Sequence, residues 1–296
     1  MDSIRLKARA KINLGLDVLG KRDNGYHDVR MVMQTVGIYD RLIINKIPED
    51  DIRIDINLKF LPVNENNLIY KAYKLMKDEY GFSGGIEVDL NKFIPIAAGM
   101  AGGSSNAAAV LVGLNKLWKL NLSEVRLQEI GLKLGADVPF CISGNAALAQ
   151  GIGEELTYIK GLSKDTVILV CKPNLFVSTK EVYEGLDLQN IKNRPDNKFL
   201  IECLKKGNIN LLATNMVNVL ETVTSKMHEE IKDIEKVMLE NNALGSMMSG
   251  SGPTVFGLFD KEEDALSTKG ELLKKYNQVY VIRSSEKGVE VNGEFN

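Results

Sequence analysis

The stretch Pro95-Ile96-Ala97-Ala98-Gly99-Met100-Ala101-Gly102-Gly103-Ser104-Ser105-Asn106 decides how this chain is read. Gly99, Gly102 and Gly103 let the backbone curl and approach a ligand closely. Two hydroxyls follow at Ser104 and Ser105, and Ala107-Ala108-Ala109-Val110-Leu111-Val112-Gly113-Leu114 then opens as a helix. A glycine loop running into a helix N-terminus turns orphan N–H groups and the positive end of the helix dipole toward one point. The sequence therefore predicts a phosphate cradle over 95–106. A plain cap, with Ser104 or Ser105 bonded to the next turn, is the simpler alternative. Three glycines and two serines within seven residues favour the cradle. No Gly-Lys-Ser/Thr follows the glycines, so this is not a Walker loop, and their spacing does not fit the dinucleotide fingerprint.

With 296 residues, 44% hydrophobic and 26% charged, the chain has a globular balance and room for one large domain or two ordinary ones. A formal net charge of -2 argues against bulk nucleic-acid binding. The charged start, Met1-Asp2-Ser3-Ile4-Arg5-Leu6-Lys7, lacks the apolar core of a signal peptide, and no apolar run reaches the length of a membrane span. Cys141, Cys171 and Cys203 lie far apart and lack zinc-type spacing. Reduced thiols in a cytoplasmic protein are expected.

Upstream of the loop, Ile4, Leu6, Ala8, Ala10, Ile12 and Leu14 alternate with Arg5, Lys7, Arg9, Lys11 and Asn13, a half-buried strand with a basic face. Further strands are predicted over 15–19, 31–38, 41–45 and 52–58, with Asp23-Asn24-Gly25 as a turn. Helical spacing marks 67–80, and a short strand over 86–90 leads into the glycine loop. Ser123-Glu124 opens a helix that Gly135 ends. Beyond residue 155 come a strand over 167–171, helices near 196–206, 209–222 and 226–240, and a β-α-β run over 254–259, 261–275 and 279–282. The pattern predicts an α+β protein of two α/β-layer domains, 1–157 and 158–296, with the boundary inside 153–164.

Lys11 and Asp137 are the pair to follow. Phosphoryl transfer to an alcohol needs an aligned hydroxyl, a carboxylate to take its proton, and cations over the phosphates. Asp137 precedes Val138-Pro139, which is expected to hold it extended. The plainer roles are a turn aspartate and a surface lysine. In Gly25-Tyr26-His27 the Tyr26 ring can stack on a base while His27 reads its edge, although a lone histidine is often only structural. A second glycine-serine loop, Gly245 to Thr254, is expected to be buried near the active centre as another candidate anion nest. Serine, histidine and aspartate are not grouped as a hydrolase triad or a His-Glu metal cluster.

In order along the chain, Ala10-Lys11-Ile12-Asn13-Leu14, Pro95 to Asn106 and Gly250-Ser251-Gly252-Pro253 resemble the three motifs of the GHMP kinase superfamily. Gly25-Tyr26-His27, Gly135-Ala136-Asp137-Val138-Pro139-Phe140 and Gly151-Ile152-Gly153-Glu154 narrow the resemblance to its branch acting on a cytidine-diphosphate-linked methylerythritol. These motifs span nearly the whole chain. Ala97, Ala98 and Ala101 stand where the family loop often has glycine. The resemblance implies the GHMP kinase fold, with the active site in the cleft between two domains. It implies ATP-dependent phosphorylation of the methylerythritol 2-hydroxyl in non-mevalonate isoprenoid synthesis, with Mg²⁺.

By the same resemblance Asp137 is the general base, Lys11 lowers the hydroxyl pKa, and Asn13 lies by the acceptor hydroxyl. Pro95 to Ser105 would hold the ATP phosphates, Ser105 also being a magnesium candidate, with Asn67 and Lys92 by the adenine. Tyr26 and Tyr183 would sandwich the cytosine, with Phe176 as the alternative to Tyr183, and His27 would bond the base edge. The expected partner is the small-molecule substrate, with neither nucleic acid nor membrane, and the state a monomer or homodimer. Homoserine, mevalonate or galactose kinases, and a silent sugar-sensing relative, would share the glycine loops without needing Tyr26-His27. Retention of Lys11 and Asp137 speaks against the silent relative.

Overall fold

Two long antiparallel strands run through the molecule. The computed structural model describes residues 2–292, and in it β1 (Ser3–Lys21) and β2 (His27–Ile47) pair over nearly their whole lengths. The sequence pattern predicts shorter pieces here. Register shifts between Arg9 and Lys11, Asn13 and Gly15, and Val18 and Gly20 absorb the breaks and keep each strand continuous. Burial alternates from Ile4 to Ala10 and then stops: Lys11 to Val18 are all buried. That half of β1 is covered on both faces, Ala10, Ile12 and Leu14 sharing a core with Ile168, Val170 and Phe256 of the second half.

After β2 come β3 (Ile52–Ile56), α1 (Leu68–Tyr80), β4 (Gly85–Asn91), α2 (Gly102–Leu117), α3 (Glu124–Leu132), α4 (Val138–Ser143), β5 (Ala146–Gln150) and β6 (Glu155–Ile159). The second half holds β7 (Val167–Lys172), α5 (Thr179–Glu184), α6 (Asn197–Lys206), α7 (Ile209–Thr214), α8 (Glu221–Met227), α9 (Glu230–Glu240), β8 (Gly245–Met248), β9 (Val255–Phe259), α10 (Glu262–Leu272), β10 (Gln278–Arg283) and β11 (Val289–Asn292). One sheet has the order β11-β1-β2-β4-β3, with β5 paired to β2 and β6; the other runs β10-β7-β9-β8. Two strands cross the expected 157/158 boundary. Strand β6 passes through it inside the first sheet, and β11 returns from the far end to pair with β1, where Arg9 meets Glu290 at 2.7 Å. No helix among the described residues is long and apolar enough to cross a membrane.

The helix expected over 209–222 is interrupted at 215–220 because β1 takes that backbone. Leu16 N–H donates to Val217 O at 2.9 Å, and Val219 N–H donates to Leu16 O at 3.0 Å. Gly245 to Met248, expected in a loop, pairs with β9 as a strand. Helix propensity and glycine content are weak priors that tertiary pairing overrides.

A single buried carboxylate holds both ends of the glycine loop. Asp40 on β2 is inaccessible to solvent. Its Oδ1 accepts from the N–H groups of Phe93 at 2.7 Å and Ile94 at 2.8 Å, just before the loop. Its Oδ2 accepts from Asn106 Nδ2 at 2.8 Å, just after it, and from Lys92 Nζ. Lys92 Nζ also donates to Asn106 Oδ1 at 3.0 Å. A charge this deep is stable only when paired and fully hydrogen-bonded.

Asp40→Ala is expected to strand Lys92 and cost about 3–5 kcal/mol in denaturant unfolding, with Asp40→Ala/Lys92→Met recovering part of it. A single-variant loss below about 1 kcal/mol would show that the carboxylate does not hold the loop.

Candidate active site

The glycine loop enters α2 through Ala101, the N-cap, which is left-handed at φ 59. No side chain caps the helix, so neither serine plays the capping role. Gly102, Gly103 and Ser104 therefore present the open N-terminus of a 16-residue helix to the cleft they line. Ser105 is fully buried, its Oγ donating to Arg9 O at 2.6 Å. Of the two serines expected at the phosphates, Ser104 lines the cleft and Ser105 does not.

The second glycine-serine segment is a wall built against the first. Ser249 Oγ donates to Gly99 O at 3.0 Å, and a Cβ on Gly99 would run into the Ser249 carbonyl. Buried Asn218 donates to Met248 O and to Gly250 O, each at 2.8 Å. Ser251 Oγ pairs with Thr179 Oγ1 at 2.9 Å, and both residues line the cleft.

Lys11 and Asp137 meet in this cleft of about 1000 Å³. Lys11 Nζ donates to Asn13 Oδ1 at 2.8 Å and lies 3.9 Å from Asp137 Oδ2. The Lys11 N–H donates to Met100 O at 3.2 Å, tying the lysine to the glycine loop. Asp137 sits at the N-cap of α4 with φ -79 and ψ -16, helical rather than extended as expected. Pro139 restrains Val138, the residue before it, and starts the helix. Asn13 is fully buried, Nδ2 on Met31 Sδ at 3.1 Å, so it holds Lys11 from below and does not line the cleft. Cys141 lies nearby, its thiol pushed up to about 12 by burial and then by the Asp137 charge.

At the other end, Tyr26 and His27 follow a turn closed by Arg22 N–H donating to Tyr26 O at 2.7 Å. Arg22 Nε donates to Asp28 Oδ1 at 2.8 Å across the same turn. Tyr26 is 59% exposed on the cleft rim. The His27 ring lies 5.0 Å from that of Tyr183, tilted by 38°. Tyr183, not Phe176, stands beside His27; Phe176 is 76% exposed and lies off the cleft. Burial, then the Asp137 charge, pushes the Tyr183 phenol up to about 12. Burial, then Lys21, holds the His27 imidazole below its ordinary 6.5. Helix α5, which carries Tyr183, is absent from the sequence prediction, yet Ser178-Thr179-Lys180-Glu181 has a capping-box spacing.

Asn67 and Lys92 also line the cleft but are spent on structure. Asn67 Oδ1 caps α1 through Ile69 N–H at 2.9 Å, and its Nδ2 donates to Pro62 O at 2.7 Å. Pro95 to Ala98 line the cleft beside Gly99, whereas Met100 turns into the core.

The loop tolerances are expected to be asymmetric. Gly99→Ala at φ 69 should lose both stability, by more than about 1 kcal/mol, and affinity for nucleotide. Ala101→Gly should stay near neutral, relief of about 1–2 kcal/mol of left-handed strain offsetting about 0.5–1 kcal/mol of chain entropy. Thermal unfolding and nucleotide titration of both variants check this.

Known proteins resemble the chain along its whole length. Residues 67–145 match the model of the GHMP kinases N terminal domain, and residues 200–278 that of the GHMP kinases C terminal. A 4-diphosphocytidyl-2-C-methyl-D-erythritol kinase of Clostridioides difficile (strain 630) is 65% identical over 296 residues, covering all of both chains. The enzyme of the same name from Lachnospira eligens is 56% identical over 96% of this chain and 99% of its own. A crystal structure of 4-(cytidine 5'-diphospho)-2C-methyl-D-erythritol kinase superposes with a TM-score of 0.81 at 29% identity, covering 95% of this chain and 99% of that one. Homoserine kinase from Cytophaga hutchinsonii shares the fold at a TM-score of 0.79 and 20% identity, over 99% and 98% of the two chains. The chain thus belongs to the GHMP kinases and, within them, to the 4-diphosphocytidyl-2-C-methyl-D-erythritol kinase family.

Proposed function

We propose that this chain transfers the γ-phosphoryl group of ATP to the 2-hydroxyl of 4-diphosphocytidyl-2-C-methyl-D-erythritol, in non-mevalonate isoprenoid precursor synthesis. One observation carries the reading. A single cleft joins an uncapped helix N-terminus behind three glycines to the Tyr26-His27-Tyr183 group, and it also holds Lys11 and Asp137.

The N–H groups of the glycine loop suit the ATP phosphates, holding charge without reorganisation as it spreads over the transferring group. The acceptor oxygen forms the new P–O bond as the bond to ADP breaks, and its proton passes to Asp137. Lys11 stabilises the developing alkoxide, and Asn13 holds Lys11 in place. Mg²⁺ would accompany ATP, and Asp137 and Ser104, which line the cleft, are the residues that would hold it there. The ion supplies charge neutralisation. Tyr26 and Tyr183 suit the faces of cytosine, and a neutral His27 can both donate to and accept from its edge. Unpaired Cys141, Cys171 and Cys203 suit a reducing cytoplasm.

Coupled ADP release from Mg-ATP tests the reading with the cytidyl compound beside a uridine analogue, mevalonate, homoserine and galactose. Turnover confined to the cytidyl compound is expected; silence with it would sink the proposal. Asp137→Asn should lower kcat by about 10²–10⁴-fold while KM for ATP holds. Wild-type turnover in that variant would remove Asp137 from the chemistry.

The depressed His27 titration sets a sign for pH. The lowered titration of folded His27 leaves its ring mainly neutral at and above 6.5, and the ring gains its proton only as pH falls below that value. KM for the cytidyl substrate should therefore be flat above 6.5 and rise as pH falls below it, with His27→Gln flattening the rise. A KM that climbs on the alkaline side instead would show that His27 binds the base as a cation.

A further inference from the structure

The proposed acceptor carries a diphosphate between cytidine and methylerythritol, and that group needs a cation. Four lysines line the cleft: Lys11, Lys21, Lys92 and Lys180. Lys92 is spent on Asp40 and Asn106, and Lys11 on Asn13 beside Asp137. Lys180 faces Glu184 at 3.9 Å in open solvent. Lys21 is exposed and makes no ion pair among the described residues.

The place of Lys21 is fixed by strand register. It is the last residue of β1 and stands directly opposite His27, the first of β2. Residues paired in this way send their side chains from the same face, with Cβ atoms about 5 Å apart. Both line the cleft, and the Arg22–Asp28 contact pins the turn that joins them. A base read by His27 leaves its 5′-phosphates one ribose away, where a flexible ammonium on the opposite strand can reach them.

We propose that Lys21 binds the diphosphate of the cytidyl substrate and ranks that substrate above its unphosphorylated nucleoside. The inference rests on the cytosine-reading role given above to Tyr26 and His27. It makes Lys21 a binding residue, with no part in moving the proton or the phosphoryl group.

Calorimetric titration of the full chain with cytidine and with CDP separates the two ideas, the nucleotide site being filled by a non-hydrolysable ATP analogue. The wild type should prefer CDP. Lys21→Gln should shrink the CDP-to-cytidine affinity ratio by about fivefold while cytidine affinity holds, and Lys21→Arg should retain most of it. In turnover, Lys21→Gln should raise KM for the cytidyl substrate, leaving KM for ATP and kcat in place. Damage to the fold would weaken cytidine and CDP alike, so the ratio isolates the charge. An unchanged ratio in Lys21→Gln overturns the assignment while base reading stands. Failure of the wild type to bind either ligand overturns base reading itself, and the role of Lys21 with it.

Discussion

Much of this molecule depends on one carboxylate that solvent never reaches. Asp40 takes two backbone N–H groups from the entry of the glycine loop, an amide from its exit and an ammonium from Lys92. A loop whose purpose is to leave N–H groups free cannot hold itself together with those same groups. Its rigidity has to come from below, and the Asp40 cluster supplies it. Desolvating the charge is costly, but the donors that satisfy it also fix the distance between the loop and the start of α2.

The opposite wall follows the same logic. The Ser249 to Gly252 turn presses on Gly99 backbone to backbone, and Asn218 binds that turn from behind with both amide hydrogens. Segment 215–220 gives up helix to do so, pairing with Leu16 of β1. Beside Lys11 and Asp137, Cys141 keeps its proton because burial and the neighbouring carboxylate both oppose a thiolate.

How much of this was legible in the sequence depends on the range of the interaction. The glycine loop, the strand alternation before Lys11 and the helical spacing of 67–80 are local patterns, readable from neighbours in the chain. The Asp40–Lys92 pair joins positions without any local signature, and nothing in the spacing announces it. Ser104 and Ser105 could not be told apart because α2 is apolar nearly all round, which leaves its pattern without a phase. Asp137 was found by residue type, but its backbone was misjudged because Pro139 acts one residue closer. The short helix α5 had only its capping residues to declare it.

The return of β11 to the edge of β1 joins strands from the two ends of the described residues. During synthesis the β1 edge of the sheet therefore stays bare until β11 has emerged. Bare edges recruit other strands. Arg5, Lys7 and Arg9, spaced along that margin, give the unfinished sheet a row of like charges that repels a second nascent copy. Glu290 then arrives to neutralise Arg9 when the proper strand docks. Docking of β11 is thus the event that covers that edge of the sheet.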